Sequence, residues 1–312
     1  MRICSLLPGA TEIVFALGMG DSLVAVSHEC DYPEQAGHLP KVTSSRINPA
    51  ASSREIEYAV AASLQAGTSL YGLELELLER LQPDLVITQG LCDVCAVSTS
   101  LVEGAICNLS SRPAVLNLEP HSLTDILDNI RSVATAIQRE HAADVLIEKL
   151  NARIESVRKR AAIVASRPRV FCMEWVDPPY CGGHWMKELV ELAGGHDDLA
   201  NDASPSYRIE WQQVIQYAPE IIVLTCCGYD LERCKREGEI LATFPGILDL
   251  PAVQQNRVFA TAGSGYFSRP GPRIVDSLEI LAHLIHPEKF PPPALPEEVF
   301  STLTLLHTGA EA

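Results

Sequence analysis

Residues that could do chemistry are concentrated in short segments that directly follow apolar, strand-like runs. One segment reads His28-Glu29-Cys30-Asp31-Tyr32-Pro33 and offers four side chains able to ligate a metal or hydrogen-bond a polar ligand. Another follows the run Leu85 to Thr88 and contains Cys92 and Cys95 in a Cys-x-x-Cys spacing. Such a pair can bind zinc, iron or copper through thiolates, act in thiol exchange, or pack as small apolar groups. The spacing alone leaves these three roles open.

The second half of the chain contains comparable segments. One extends from Glu174 to Trp185 after a strand-like run, and another reads Cys226-Cys227-Gly228-Tyr229. Six of the ten cysteines therefore lie in predicted post-strand loops. Together with His28 these six are the candidate ligands for a transition metal such as zinc or iron: Cys30, Cys92, Cys95, Cys181, Cys226 and Cys227.

Aromatic and polar residues in or near the same loops have the composition of a small-molecule pocket, in which flat rings form apolar walls and a few polar groups anchor the ligand. A macrocycle such as a corrin would suit these walls. Trp185 and Tyr207 have the alternative of packing in the core. The predicted ligand-binding residues are His28, Glu29, Tyr71, Gln89, Glu174, Trp175, His184, Trp185, Tyr207, Tyr229, Tyr266, Phe267 and Arg269.

A repeated pattern predicts the elements that must position these loops. The stretch from Leu81 to Ile87 matches the stretch from Tyr217 to Val223 at an offset of 136, and each predicts a helix end, a Pro-acid step and a buried strand. A second alignment, at an offset of 176, places Glu12 opposite Glu188 and Asp21 opposite Asp197. Continuous apolar strands are typical of mostly parallel sheets covered by helices on both faces. The repeats predict an α/β fold of two Rossmann-like lobes.

Helical spacing of apolar residues between the lobes predicts two amphipathic helices, the second extending from about Val145 to Ala161. We expect this second helix to join the lobes as one long, rigid rod of about 25 residues. The expected organisation is an N-terminal α/β lobe at 1–140, an interdomain helix at 141–166, a C-terminal α/β lobe at 167–290 and a tail, as a peripheral helix or loose segment, at 291–312.

Composition excludes some partners. The formal net charge of −16 repels phosphate backbones, so nucleic acid is not an expected partner. No apolar stretch reaches the roughly 18 residues of a membrane span, so membrane insertion is not expected either. The start lacks the pattern of a secretory leader, which predicts a cytoplasmic protein, or a periplasmic one if a leader has been removed.

Familiar nucleophile, zinc-protease and dinucleotide motifs are absent from the sequence, so we expect a binding protein rather than an enzyme.

Three stretches together resemble the helical-backbone (class III) periplasmic binding proteins: Ser5 to Glu12, the step from Pro83 to Ile87, and Gly182 to Gly195. Within that superfamily the chain is most similar to the vitamin B12-binding proteins of bacterial ABC importers, over about residues 2 to 290. The resemblance implies that cobalamin, a related corrinoid or another metal chelate binds in a cleft between the lobes, against loops at the carboxyl ends of the strands. It also implies an ABC transporter permease as a partner.

The chain departs from that family in three respects. The family is normally exported, whereas this sequence shows no leader. The acidic residues that dock on the transporter, one per lobe, map onto Glu76 and Gln212, so one charge of the pair is missing. The cysteines of the predicted cleft loops are not needed by a B12 importer. Two alternatives therefore stay open: a cytoplasmic metal- or cluster-binding protein that uses cysteine and histidine ligands, and a thiol oxidoreductase on the same fold.

Overall fold

The structure, a computed structural model, describes residues 1–66, 68–90, 104, 106 and 109–305. These residues form two compact units. The first unit comprises the described residues of Met1–Pro120, Thr124–Leu150 and Pro270–Pro272. The second comprises those of His121–Leu123, Asn151–Arg269 and Arg273–Ala312. The α/β fold with two lobes that the sequence predicts is confirmed.

The first unit contains a parallel sheet and a small antiparallel ladder. The strands are β1 (Ile3–Ser5), β2 (Leu23–Val26), β3 (Thr43–Ser45), β4 (Tyr71–Leu73), β5 (Leu85–Gln89) and β6 (Ala114–Leu118). Four of them form the parallel sheet in the order β2-β1-β5-β6, while β3 pairs with β4 in the ladder. Every residue of β5 is buried, as expected for a strand inside a covered sheet.

The helices up to the division between the units begin where the sequence provides starts. Pro8 occupies the first turn of α1, and Ser52 and Glu55 form a capping box at the start of α3. The helices are α1 (Pro8–Ala16), α2 (Glu34–Gly37), α3 (Ser53–Gln65), α4 (Leu75–Leu81), α5 (Leu123–Ala136) and α6 (Glu140–Ala161), with a 3-10 turn at Gly20–Ser22.

The second amphipathic pattern forms one continuous helix, as predicted. Helix α6 has 22 residues, a little fewer than the predicted rod. The division between the units falls inside α6, because its residues up to Leu150 group with the first unit and those from Asn151 group with the second.

The second unit contains a mixed sheet. Its strands are β7 (Val170–Trp175), β8 (Tyr180–Cys181), β9 (Ile221–Leu224), β10 (Val258–Thr261) and β11 (Phe300–Thr302). The order is β11-β10-β9-β7-β8, with the three central strands parallel and both edge strands antiparallel to their neighbours. The segment after residue 291 therefore differs from the expected peripheral helix or loose tail, because β11 pairs with β10.

Helices cover the sheet of the second unit as well. Helix α11 is the most apolar of them, and nine of its twelve residues are buried. The helices are α7 (Met186–Leu192), α8 (Trp211–Tyr217), α9 (Leu231–Leu241), α10 (Pro251–Gln254) and α11 (Ile274–Ile285), with a 3-10 turn at Ile247–Asp249 and a π-type turn at Gly263–Phe267.

The repeated motif predicted from the sequence is present in both units. Helices α4 and α8 each end at a residue in the left-handed conformation, Gln82 (φ 43°) and Ala218 (φ 50°), before the Pro-acid step and the strand. The interval between the repeats is longer at the helices α1 and α7 than at the strands β1 and β7, since β8 and its turn are inserted between β7 and α7. The shared motif fixes where strands β5 and β9 begin, and therefore where the loops after them lie.

Candidate functional site

In the first unit, His28 follows β2 and is held by Thr43. The backbone N–H of His28 donates to Thr43 Oγ1 at 2.9 Å, and His28 Nδ1 lies 2.7 Å from the same oxygen. Nε2 is buried and lies 3.5 Å from Glu29 Oε1, an ion-pair distance too long for a hydrogen bond. The Tyr71 ring lies 5.6 Å from the imidazole, between ring centroids. The structure thus brings together three of the predicted ligand-binding residues.

Burial, opposed by the neighbouring Glu29 carboxylate, lowers the pKa of His28. The imidazole is therefore neutral at pH 7 and has one lone pair. If the Thr43 hydroxyl donates to Nδ1, the lone pair of the ring accepts that hydrogen bond and Nε2 carries the ring hydrogen. If Nδ1 donates to Thr43 instead, the lone pair is on Nε2 and can bind a metal centre.

Polar residues also lie at the ends of β5 and β6. Gln89, the last residue of β5, is buried and pairs in register with Leu118 of β6. A Cβ atom on Gly90 would lie 2.2 Å from Glu119 Oε1, so this carboxylate covers the end of β5. Glu119 also accepts a hydrogen bond from Asn117 at 2.5 Å. The sequence prediction did not include Glu119, although its position directly after a strand was a usable indication.

In the second unit, Glu174 of β7 holds the segment that follows β8. Its Oε1 accepts a hydrogen bond from the backbone N–H of Gly183 at 2.9 Å. A side chain at position 183 would place its Cβ 2.2 Å from the backbone nitrogen of Ser206, so only glycine fits this close approach. This hydrogen bond links the end of β7, which carries Glu174, to the segment that carries His184.

An aromatic cluster lies where β7 ends and the loop after β9 begins. The rings of Trp175 and Tyr229 are 4.8 Å apart, and the Arg233 guanidinium lies 4.6 Å from the centroid of the Tyr229 ring. Arg233 Nε donates to Glu237 Oε1 at 3.1 Å, and Glu237 is buried. Trp175 itself is half-buried. We refer to these four residues as the Trp175 cluster.

Arg233 and Glu237 were not predicted as site residues. They lie on α9, one helical turn apart, and their spacing is also that of an ordinary surface ion pair. Only the burial of the Glu237 carboxylate distinguishes this pair from a surface ion pair. Burial depends on contacts that the local sequence does not specify.

Other predicted ligand-binding residues have more buried surroundings. Trp185 is 4% exposed, and its Nε1 donates to the carbonyl oxygen of Phe267 at 3.1 Å. The side chains of Tyr266, Phe267 and Arg269 are buried too. Core packing of Trp185, the alternative weighed from the sequence, therefore matches its surroundings in the second unit. Tyr207, by contrast, is 40% exposed.

Most of the predicted metal-ligating cysteines that the structure describes are protonated and buried. Cys30 Sγ lies 3.1 Å from Thr11 Oγ1, and burial raises the pKa of this thiol. Burial raises the pKa of Cys181 to about 11. A hydrogen bond with Cys234, together with burial, raises the pKa of Cys226. Metals bind the thiolate form, so these three side chains are poorly suited as ligands. Cys227 is half-buried.

The predicted metal ligands do not come together as a set. Within the described parts of the chain, no group of three or more histidine, cysteine, aspartate or glutamate residues is arranged to hold a metal ion. Cys92 and Cys95 lie outside the described residues. Neither a thiolate metal centre nor a thiol oxidoreductase receives support from the described geometry.

Comparison with known proteins decides the family. The family model described as periplasmic binding protein matches residues 3–263. The chain belongs to this family. The expectation of a binding protein rather than an enzyme is thereby confirmed. In the part of the chain that the structure describes, no helix is both long enough and apolar enough to span a membrane.

Curated relatives cover nearly the whole chain. The vitamin B12-binding protein of Vibrio parahaemolyticus is 27% identical over 289 residues, which is 90% of this chain and 88% of the relative. The vitamin B12-binding protein of Pectobacterium atrosepticum is 24% identical over 280 residues, covering 88% and 84%.

Several solved structures share the fold. The vitamin B12-binding protein BtuF of Vibrio cholerae has a TM-score of 0.65 at 24% identity and covers 91% of this chain and 96% of its own. The heme-binding protein RhuT of Roseiflexus has a TM-score of 0.70 at 23% identity, covering 92% and 98%. A heme-binding protein of Pseudomonas aeruginosa reaches 0.73 at 16% identity, covering 96% and 97%.

Proposed function

We propose that this periplasmic binding protein binds a corrinoid, cobalamin or a close relative, with the Trp175 cluster as one wall of the site. The observation that carries the proposal is the half-buried indole of Trp175 beside the Tyr229 ring at the end of a parallel strand. Strand ends of this kind are the usual ligand-binding positions of open α/β sheets. The curated relatives named as vitamin B12-binding proteins support the same ligand class.

The cluster has the properties that a flat, mostly apolar macrocycle requires. Aromatic rings bury a large apolar area with little loss of side-chain freedom. The Arg233 guanidinium stacks over Tyr229 and is itself neutralised by Glu237, so the ring is held without leaving an unpaired buried charge. A rigid aromatic wall of this type favours a rigid ligand, since neither partner loses much conformational entropy on binding.

Heme is the second candidate ligand. Structural relatives named as heme-binding proteins favour it, and so does His28, whose Nε2 lacks a hydrogen-bond partner and could bind iron as readily as cobalt. The two candidates have different absorption spectra, so one titration separates them.

The test is to titrate the purified protein with cyanocobalamin and, separately, with hemin, by isothermal calorimetry and absorption spectroscopy. We expect saturable binding of the corrinoid, and at least a tenfold loss of affinity in Trp175→Ala, which corresponds to about 1.4 kcal/mol. Trp211→Ala is the matched control, because Trp211 on α8 packs against Phe244, donates to the Pro245 carbonyl and is not part of the Trp175 cluster.

The control variant should bind the corrinoid as the wild type does. Binding of hemin alone would transfer the proposal to heme. Equal affinity of Trp175→Ala and wild type for the bound ligand would contradict the assignment of the Trp175 cluster. Absence of binding to both compounds would contradict the proposed ligand class altogether.

Delivery of the ligand to an ABC transporter permease is part of the same proposal, and family membership supports it. Glu76 and Gln212 are both exposed and each is the second residue of its repeated helix, α4 or α8. A permease would therefore meet equivalent positions with unequal charge. The proposal implies the periplasm as the compartment, and the cytoplasmic location expected from the sequence receives no support from the relatives.

A further inference from the structure

Two histidines of the second unit lie side by side. The ring centroids of His121 and His184 are 6.1 Å apart, with an angle of 45° between the ring planes. His184 also stacks on Trp185, with centroids 5.5 Å apart and an angle of 29°. His121 is exposed and His184 is half-buried, so the pair extends from the surface into the second unit.

Both histidines are held in place by contacts of their own segments. His184 has a positive φ of 53°, and its backbone N–H donates to the Ser204 carbonyl at 2.6 Å. A non-glycine residue in this conformation is uncommon and is maintained only where the surroundings enforce it. The segment that carries His121 is tied to α7, because the N–H of Leu123 donates to Glu188 Oε2 at 2.8 Å. The ring pair is therefore pre-positioned by the backbone.

One ring nitrogen of His184 has no partner. Its Nδ1 is buried and has no hydrogen-bond partner. Burial, with a smaller contribution from His121, lowers the pKa of His184 to about 4, so the ring is neutral at physiological pH. A buried imidazole nitrogen of this kind is satisfied by a proton donor or by a metal ion.

The distance between the rings is compatible with one shared ion. With metal–nitrogen bonds of about 2.0–2.1 Å, two imidazoles on the same ion have centroids at most roughly 6.5 Å apart. The observed 6.1 Å lies within that limit. Imidazole is a preferred ligand of nickel, copper and zinc, and the net charge of −16 favours cations over anions.

We propose that His121 and His184 form a two-histidine binding site for a divalent transition metal ion, with water at the remaining coordination positions. The inference goes beyond corrinoid binding, because the site takes a free ion. Since no third histidine, cysteine, aspartate or glutamate completes a set among the residues that the structure describes, the ion keeps open positions and its affinity should be in the micromolar range.

The experiment uses the full chain without an affinity tag, washed with EDTA and titrated with Ni²⁺ by isothermal calorimetry in the absence of corrinoid. Nickel is chosen because it does not oxidise the thiols of the chain. We expect one equivalent to bind, with at least a tenfold loss of affinity in His184→Asn and in His121→Gln. Asparagine tolerates positive φ, so the His184 variant keeps its backbone conformation. His141→Gln, which removes an exposed histidine of α6, is the control and should bind like the wild type.

A melting temperature measured in EDTA establishes that each variant is folded. The proposal is overturned if the wild type takes up no Ni²⁺ at 100 μM, roughly the upper end of the expected range, or if His184→Asn and His121→Gln bind as tightly as His141→Gln. Because corrinoid is absent throughout, either result leaves the corrinoid proposal unaffected, and failure of the cyanocobalamin titration leaves this one unaffected.

Discussion

The two units share the motif that begins their central strands, β5 and β9, but differ in the side chains that lie near their described strand ends. In both units a helix ends at a left-handed residue, a proline and an acid come next, and an arginine before the first strand contacts the motif. Even the two backbone bonds from the acidic residues have the same length, since the N–H groups of Asp84 and Glu220 each donate to the carbonyl of that arginine at 2.8 Å. The repeated motif is therefore the structural scaffold of each unit.

The described residues near the strand ends differ in chemistry. The first unit presents polar groups such as His28, Glu29 and Glu119, whereas the second presents the Trp175 cluster. A repeated scaffold with unrelated loops is expected where the fold serves stability and the loops serve recognition. The chemistry of the two units therefore differs: the described strand ends of the first carry polar groups, and those of the second carry the aromatic Trp175 cluster.

The largest contrast between repeated positions is that of Asp197 and Asp21. Asp197 is fully buried and accepts hydrogen bonds from the backbone N–H groups of Cys172, Leu199 and Ala200, at 2.9, 3.1 and 3.1 Å, while Asp21 is exposed. Removing the carboxyl leaves three buried donors without a partner. We expect Asp197→Ala to lower the free energy of unfolding by about 3–4 kcal/mol, and Asp21→Ala by less than about 0.5 kcal/mol, as measured by urea denaturation at pH 5.

The same residue should make stability depend on pH. Burial, opposed by the three backbone hydrogen bonds, raises the pKa of Asp197 to about 7. A carboxyl whose pKa rises on folding stabilises the native state at low pH, and this contribution is lost as the pH rises through the folded-state value. The wild type should therefore lose stability between about pH 4 and pH 7, by at most about 1.4 kcal/mol per pH unit. If the free energy of unfolding falls with pH equally in the wild type and in Asp197→Asn, Asp197 is not the source of the pH dependence.

The local elements were largely predictable from the sequence, because spacing and turn residues report on the nearest neighbours in the chain. Strand β5 begins at Leu85, the first residue of the predicted run. Strand β11 was missed, since three residues after a proline-rich stretch carry too little periodicity to distinguish a strand from a loose segment. Its pairing with β10 is a long-range contact that local pattern does not encode.

The candidate site was predictable only in part, for the same physical reason. Post-strand position identified Trp175 and Tyr229, and their rings do lie together. Residue type alone did not indicate that Trp185 would be buried against Phe267, or that most of the described loop thiols would be protonated and enclosed. Burial decides whether an aromatic or a thiol is available to a ligand, and burial is a property of the assembled unit.

Two glycines that come after strands offer an intermediate contrast between the units. A Cβ on Gly263 would lie 2.2 Å from the backbone oxygen of Cys226, whereas a Cβ on Gly90 would meet the movable end of the Glu119 side chain at 2.2 Å. Backbone cannot yield without distorting the sheet end. We expect Gly263→Ala to lower the free energy of unfolding by about 2–3 kcal/mol and Gly90→Ala by less than about 0.5 kcal/mol. Equal urea midpoints for the two variants would mean that the backbone next to Gly263 can move to accept a side chain.

The smallest expected effect tests whether the scaffold is truly repeated. Arg2 Nε donates to the Leu81 carbonyl at 2.8 Å, and Arg169 Nε donates to the Ala218 carbonyl at 3.0 Å, each at the end of its repeated helix. Replacing either arginine by methionine keeps the apolar stem and removes the hydrogen bond, so Arg2→Met and Arg169→Met should each cost about 1 kcal/mol.

Arg139→Met, at an exposed position before α6, is the control for loss of a surface charge and should be neutral within about 0.5 kcal/mol. Equal costs for Arg2→Met and Arg169→Met in urea denaturation would mean that the two helix ends are stabilised in the same way. A cost confined to Arg169→Met would mean that only the second unit depends on this contact, and that the resemblance of the two motifs is one of backbone shape without shared energetics.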